Sequence, residues 1–415
     1  MKIGSVVRKY NIPVNRIYFY INNGLLVPPR HNNQYDFDER TLDDLNNILD
    51  LKQMGFSLST IHRILSLKRL SNYRAKDDYE ELLHLLHNQR NELELKEQEL
   101  RESRARIDKL IMSIKEAYQA PVLRKSGLPI KLLPLLCCPI CGNEFSWEDV
   151  VMNQRDLFQA HVTCGCGYSA NVKDGIFETG NTNTSPYDKP DTSRAAYRSL
   201  PSITVSLFEH SNKWLESAIL RFGKHGNVWL ESYVNAYFFF HNHLHLLNEQ
   251  DTLIVVDKFP ETLRSYKALI DLQNPTCSIL YIADASLSLP IRKKMVDCNM
   301  DFFATNEFNF YQEGFLLDSL HTYLKENANL FGAYFSFGYR SKELNEVFKN
   351  YPTLARSSFS SKWFYKELQK NAVIIDILGN KQTEFNNASS SDNQTYHLKG
   401  EAFESMPYWA RFTRI

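Results

Sequence analysis

The chain has 415 residues, 43% hydrophobic and 23% charged, which suffices for two to four domains with buried cores. Lysine plus arginine and aspartate plus glutamate both total 48, so a formal charge of zero excludes a polybasic chain gripping nucleic acid along its whole length. No apolar run approaches the roughly 18 to 20 residues that span a bilayer, and the opening MKIGSVVRKYNIP lacks a signal-peptide core, so a soluble cytoplasmic protein is expected.

The basic balance is local: residues 1–75 carry a net charge of about +5. IGSVVRKY reads as a short helix, Asn11 to Pro13 as a turn, and VNRIYFYINN as a second helix that Gly24 closes in a left-handed cap. Two short helices joined by a tight turn are the helix-turn-helix pattern. Arg16, Tyr18 and Tyr20 of the second helix are candidate DNA contacts, with Lys9, Arg30 and Tyr35 flanking them, and Phe19 reads as core. VPPRHNNQYDFD has the turn-rich composition of a β wing, and ERTLDDLNNILDLKQMGFSLSTIHRILSLKR supplies two amphipathic helices punctuated by Gly55.

Residues 78–119 contain no Gly or Pro and place Tyr79, Leu86, Leu93, Leu100, Ile107 and Ile114 at intervals of seven. That spacing predicts one long helix with a heptad seam that needs a partner. The companion seam is polar at Arg90, Glu97 and Arg104, so the partner must tolerate charge there. A cysteine-rich stretch follows over 137–180. Cys138-Pro-Ile-Cys141-Gly142 and Cys164-Gly-Cys166-Gly167 form two knuckles that would present four thiolates to one structural zinc, with Cys137 or His161 as substitutes for one ligand. GNTNTSPYDKPDTS, residues 180–193, reads as a linker with little to bury.

Beyond it, Asn227 to Glu231, Thr252 to Asp257, Ser278 to Ala283 and Asp301 to Thr305 are expected to be buried strands alternating with helices, an α/β sheet. NAVIIDILGN and AFESMPYWARFTRI read as two last strands around the polar loop NNASSSDNQ, and AYFFFHNHLHLL reads as a helix. His241, His243 and His245, at intervals of two, argue against a three-histidine metal site.

Three resemblances attach to these motifs. VNRIYFYINNGLL, QYDFDERTLDDL and LKQMGFSLSTIHRIL, in that order, resemble the MerR family of transcriptional regulators over residues 1 to about 119. The resemblance implies a winged helix-turn-helix head (1–75), a dimerising coiled coil (78–119) and RNA polymerase as a partner; one short recognition helix and a two-fold seam predict a palindromic double-stranded DNA operator, and a small-molecule effector is a further expected partner. The family's usual Arg-Tyr-Tyr is Tyr18, Phe19 and Tyr20 here, so Arg16 is the alternative arginine. CPICG and CGCGYSANVKDGI are similar to the zinc ribbons that precede the catalytic domain in some rRNA methyltransferases. Residues 195–415 resemble class I S-adenosylmethionine-dependent methyltransferases of Rossmann-like α/β fold, a likeness that implies a candidate ligand pocket at Glu231, Tyr233, Asp257 and Asp284. Where that family has glycines after the first strand, this chain reads Glu231, Ser232, Tyr233, Val234, Asn235, Ala236 and Tyr237, and side chains there would strike the cofactor. The expected protein is therefore a dimeric, DNA-binding regulator with a non-catalytic methyltransferase-like sensor or interaction domain, without bound S-adenosylmethionine. A DNA-targeted methyltransferase with an atypical cofactor loop is the alternative, and a purely structural C-terminal domain a third.

Overall fold

The computed structural model describes residues 1–32, 34–118, 125–185, 188–192, 202–223, 226–337, 356–371, 373–376, 394–398 and 401–413. Internal contacts divide the chain into two units, Met1–Ala120 and Pro121–Ile415.

In the first unit, α1 (Ile3–Tyr10) ends where Asn11 turns left-handed at φ 50°, and α2 (Val14–Asn22) starts after Pro13. The wing is an antiparallel pair, β1 (Arg30–His31) with β2 (Gln34–Tyr35). Asp38 caps α3 (Glu39–Gln53) by accepting from Thr41 N at 2.8 Å, and Ser57 caps α4 (Leu58–Ser71) by accepting from Thr60 N at 3.2 Å. Both satisfy an amide that the first helical turn leaves without a partner. Val6, Ile17, Leu45, Ile48, Ile61 and Leu65 form the core. α5 (Lys76–Tyr118) follows, and Leu82 and Leu85 near its start pack on that core. Arg63 also fixes it to α4 by a two-pronged pair with Glu81, 2.6 Å each. Farther along, the heptad residues Leu93, Leu100, Ile107 and Ile114 are exposed.

The second unit is built on one sheet, ordered β13-β15-β12-β11-β8-β9-β10-β7-β6-β5-β3, with β4 on β5 and β14 on β15. Its strands are β3 (Leu128–Pro129), β4 (Ser146–Met152), β5 (Asp156–Thr163), β6 (Ser169–Lys173), β7 (Ile176–Glu178), β8 (Val228–Ser232), β9 (Thr252–Asp257), β10 (Ser278–Ala283), β11 (Val296–Phe302), β12 (Leu324–Phe337), β13 (Val373–Asp376), β14 (Gln394–Leu398) and β15 (Glu401–Phe412). β8 to β12 run parallel; β15 is antiparallel to both β12 and β13. The chain steps outward from β8 through β9 to β10, then returns to lay β11 and β12 on the other side. That reversal makes β8 and β11 the topological switch point of a doubly wound sheet.

Alternation along the strands shows why both faces are covered. Leu253 and Val255 of β9 enter one core, with Leu207 and Leu215 of α6 (Ser202–Phe222), Phe240 of α7 (Phe240–His243) and Leu263 of α8 (Pro260–Leu272). Ile254 and Val256 enter the opposite core with Phe308 of α9 (Ala304–Tyr311), Leu316 of α10 (Leu316–Leu320) and Leu368 of α11 (Ser361–Lys370). Successive strand residues point to opposite faces, so a strand buried on both sides must be apolar throughout. The cysteine module joins this sheet through β7, which pairs in parallel with β10. The β6–β7 turn approaches the β3 backbone so closely that a Cβ on Gly175 (φ +78°) would lie 2.6 Å from the Gly127 Cα, a position only glycine can take.

Several expectations need correction. The fourth strand is Val296–Phe302, not Asp301 to Thr305, because polar residues interrupt VDCNMDF although Asn299 and Asp301 are buried. AYFFFHNHLHLL is helical only at Phe240–His243 and in a short turn of 3-10 helix at Leu244–Leu246. The segment after β7 is no slack linker, since Asp188 is buried. Of the polar loop NNASSSDNQ, all but Gln394 lies outside the described residues.

Candidate functional site

In the head, Lys9, Arg16, Tyr18 and Arg30 are exposed and Tyr35 is half-buried. Three of these meet. The Tyr18 ring stands edge-on to Tyr35 at 6.2 Å, and the Arg30 guanidinium lies 4.5 Å from the Tyr35 ring centre while donating to the Tyr35 hydroxyl. The second helix and the wing thus share one surface of aromatic and cationic groups. Tyr20 does not join it. Ile17 and Tyr20, three residues apart, form the inward stripe of α2 and leave Tyr20 3% exposed, while Phe19 is 46% exposed rather than core. Behind the surface, Arg69 of α4 donates to Leu25 O at 2.6 Å, Gly24 O at 3.1 Å and Asp44 Oδ2 at 2.7 Å, locking the turn that follows α2.

In the second unit, Cys138, Cys141, Cys164 and Cys166 bring their sulfurs within 4.8 Å of one another, with 3.4 Å between the Sγ atoms of Cys138 and Cys166 and of Cys141 and Cys164. A tetrahedral zinc–thiolate site, with Zn–S of about 2.3 Å, sets its sulfurs about 3.8 Å apart, so the donor set fits a closed structural ion. Gly142 (φ +77°) and Gly167 (φ +90°) make the two tight turns that aim the thiolates inward. Cys137 is buried with its amide on Pro290 O, and His161 pairs with Asn171 on β6; neither belongs to the cluster. The three spaced histidines have different partners, although the His243 and His245 ring centres lie 6.0 Å apart. His243 pairs with Phe239 O, His245 with Glu216, and His241 packs on Tyr266.

At the carboxyl ends of β8, β9 and β10, Glu231, Tyr233, Asp257 and Asp284 are all buried. Glu231 accepts from Phe239 N at 2.6 Å and Phe240 N at 3.2 Å; burial pushes its carboxyl up to about 8 against those two donors. Asp257 is likewise pushed up to about 8, by burial and then by Glu307, with Lys258 opposing. Tyr233 takes the left-handed backbone (φ 56°) of a glycine and fills the space with its ring, whose hydroxyl accepts from Gln312 Nε2 at 2.8 Å. Sequence reading missed the group that dominates this crevice. Lys258 is buried, and its Nζ lies 2.8 Å from Asp188 Oδ2 and 2.8 Å from Glu307 Oε1. Burial opposes its charge, but Glu307, Asp257 and Asp188 outweigh that and hold it protonated. A lysine directly after the acid that ends a fully apolar strand, IVVDK, was the available signal. A separate cavity of about 740 Å³ opens at the amino-terminal edge of β10, beside Lys131, Arg155 and Asp271.

Comparison with known proteins agrees with the head. Residues 1–68 match the family described as MerR HTH family regulatory protein, and residues 42–110 match MerR, DNA binding. The chain is 30% identical over 79 residues to the HTH-type transcriptional regulator ZntR homolog of Haemophilus influenzae, a stretch that is 19% of this chain and 58% of that protein. It therefore spans less than two thirds of that curated relative. The MerR likeness read from the motifs is borne out over these residues. Among solved structures, the second unit resembles a SAM dependent methyltransferase from Aquifex aeolicus (14% identity, 54% of this chain and 100% of that one, TM-score 0.35). It also resembles one from Methanosarcina mazei (12%, 48% and 98%, TM-score 0.35). The strand order, not these distant likenesses, carries the fold. Among the described residues, no helix is long and apolar enough to cross a membrane.

Proposed function

We propose that the chain is a sequence-specific, DNA-binding transcriptional regulator that works as a dimer, with its methyltransferase-type sheet acting as a sensor or interaction unit rather than an enzyme. The observation that carries the DNA reading is the cluster of Tyr18, Tyr35 and Arg30 on one surface, with Arg16 exposed on the same helix. Arginine on a recognition helix reads base edges, and wing residues grip phosphate. The exposed leucine row of α5 supports pairing with a second copy, which would give a two-fold protein and a palindromic operator. RNA polymerase is a partner implied by the family likeness, and a small-molecule effector is the partner that a sensor domain would need.

The four cysteines would hold a structural zinc that ties the two knuckles together. The non-catalytic reading rests on the loop after β8, where the Tyr233 ring lies in the register at which a cofactor needs bare backbone. Fluorescence anisotropy with a bound duplex tests the DNA reading. Arg16→Ala should cost on the order of 1 to 3 kcal/mol and relax specificity if the residue reads a base. Arg30→Ala should weaken all duplexes alike and flatten the salt dependence. Wild-type affinity in both variants would sink the assignment of this surface.

A further inference from the structure

The stretch that follows β7 is tied across the carboxyl ends of the strands, where doubly wound sheets bind their ligands. Asp284, just after β10, accepts at Oδ2 from Thr179 Oγ1 at 2.6 Å and Asn181 Nδ2 at 2.8 Å, and Ala285 N donates to Asn181 O at 3.0 Å. Farther along, Asn235 accepts from Asp191 N at 2.9 Å and donates to Lys189 O at 3.1 Å. Between these tethers Asp188 inserts its carboxylate onto Lys258. Every one of these contacts is made to a side chain or backbone at the strand ends, so this segment and a ligand would compete for the same ground.

We propose that Thr179–Ser185 and Asp188–Asp191 form a displaceable strap, and that the crevice beneath takes an anionic ligand, a carboxylate or phosphate group, in the position Asp188 holds on Lys258. The two carboxylates on Lys258 are not equivalent. Glu307 belongs to α9 and is fixed a second time, because its Oε2 accepts from Ala236 N at 3.0 Å. Asp188 is delivered by the strap and lacks such a second tie, because its Oδ1 is buried without a hydrogen-bond partner among the described residues, which makes it the weaker of the two closures; burial also pushes its pKa up to about 6 against the pull of Lys258. When the strap leaves, Lys258 keeps Glu307 and its aromatic surround, with Tyr233, Phe259 and Tyr311 ring centres at 4.8, 5.5 and 4.5 Å. It then faces the vacated space as a charged donor lacking one of its two anions. An incoming anion restores the same charge balance that Asp188 provided, so strap and ligand are alternative states of one crevice. This deepens the sensor reading and rests on it. Its test contains no DNA, so it can fail while DNA binding stands.

The test uses the full chain. In hydrogen exchange, Asp188→Ala should speed the strap amides by about tenfold or more while β8 to β10 stay protected. In calorimetric titration with inorganic phosphate and, separately, acetate, Asp188→Ala should bind one of them about tenfold more tightly than wild type, because wild type binds only from its open fraction. Which anion gains identifies the ligand class. Adding Lys258→Gln should abolish that gain. Asp188→Asn, nearly the same size, repeats the comparison if the alanine variant folds poorly. Unchanged strap exchange, loss of protection across β8 to β10 together with the strap, or equal anion affinity with and without Lys258 would each overturn the proposal.

Discussion

Lys258 holds its ammonium 4.8 Å from the centre of the Tyr233 ring, and Tyr233 adopts φ 56°, a left-handed backbone that bulky residues rarely take. At this position of the turn after β8 the backbone takes a conformation that favours glycine, yet it carries an aromatic ring packed beside a buried cation. Titration with S-adenosylmethionine is expected to give no saturable micromolar binding, and incubation with labelled cofactor no methyl transfer to DNA, RNA or protein.

Tyr233→Gly sets two effects against each other. Removing the backbone conflict returns about 1 to 2 kcal/mol, whereas deleting a buried aromatic costs about 3 to 5 kcal/mol. The cavity wins, so a net loss of about 1 to 4 kcal/mol is expected in denaturant unfolding of the second unit. A stabilised variant would mean the ring is poorly packed.

The buried acids make stability depend on pH. Burial raises the folded-state pKa of Glu231 to about 8, so it enters the folded state as the neutral acid. Its contribution is complete below the ordinary carboxyl range and fades as pH rises through about 8, with a slope of about 1.4 kcal/mol per pH unit for one proton. Glu231→Gln should remove that slope between pH 5 and 8, roughly the window between the ordinary and the folded acidity, as read from urea midpoints. An unchanged slope would show that Glu231 stays ionised.

Much of this architecture was legible in the sequence and some was not. Apolar strands such as Thr252–Asp257 and Ser278–Ala283 stand at their expected bounds because both faces are buried and every residue is apolar or terminal. β12 (Leu324–Phe337) went unread because it opens on exposed Lys325, Glu326 and Asn327, which lie where the pairing with β11 shifts register between Leu324 and Asn329. The two cysteine knuckles were legible from their spacing, which left Cys137 or His161 open as a substitute; the fold brings together Cys138, Cys141, Cys164 and Cys166. IVVDK marks Lys258 itself, but its partners do not show in the sequence, because Asp188 and Glu307 are distant in the chain and converge on the lysine only through the topology.

Zinc content offers an independent check. Elemental analysis after chelator-free purification should give one zinc per chain. Cys141→Ser removes an exposed thiolate without opening the core and should lower that figure well below one. Hydrogen exchange should then loosen the two knuckles before the parallel strands. Zinc-free wild-type protein would contradict the assignment.

Pairing through α5 has its own test. Leu93→Lys with Leu100→Lys places charge on two exposed seam positions that make no core contact within one chain. Sedimentation velocity should show a dimer for the wild type and a monomer for the double variant, with each chain's helix content little changed. A wild-type monomer, or a double variant that still pairs, would remove the two-fold argument.

Reading of DNA sequence by the head as a symmetric pair is open to direct test by selecting bound duplexes from a random pool with the full chain. An enriched inverted repeat is expected, with half-sites that lose enrichment when Arg16 is replaced by alanine. Recovery of no enriched sequence, or of a single non-repeated site bound equally well by the Leu93→Lys, Leu100→Lys variant, would contradict it.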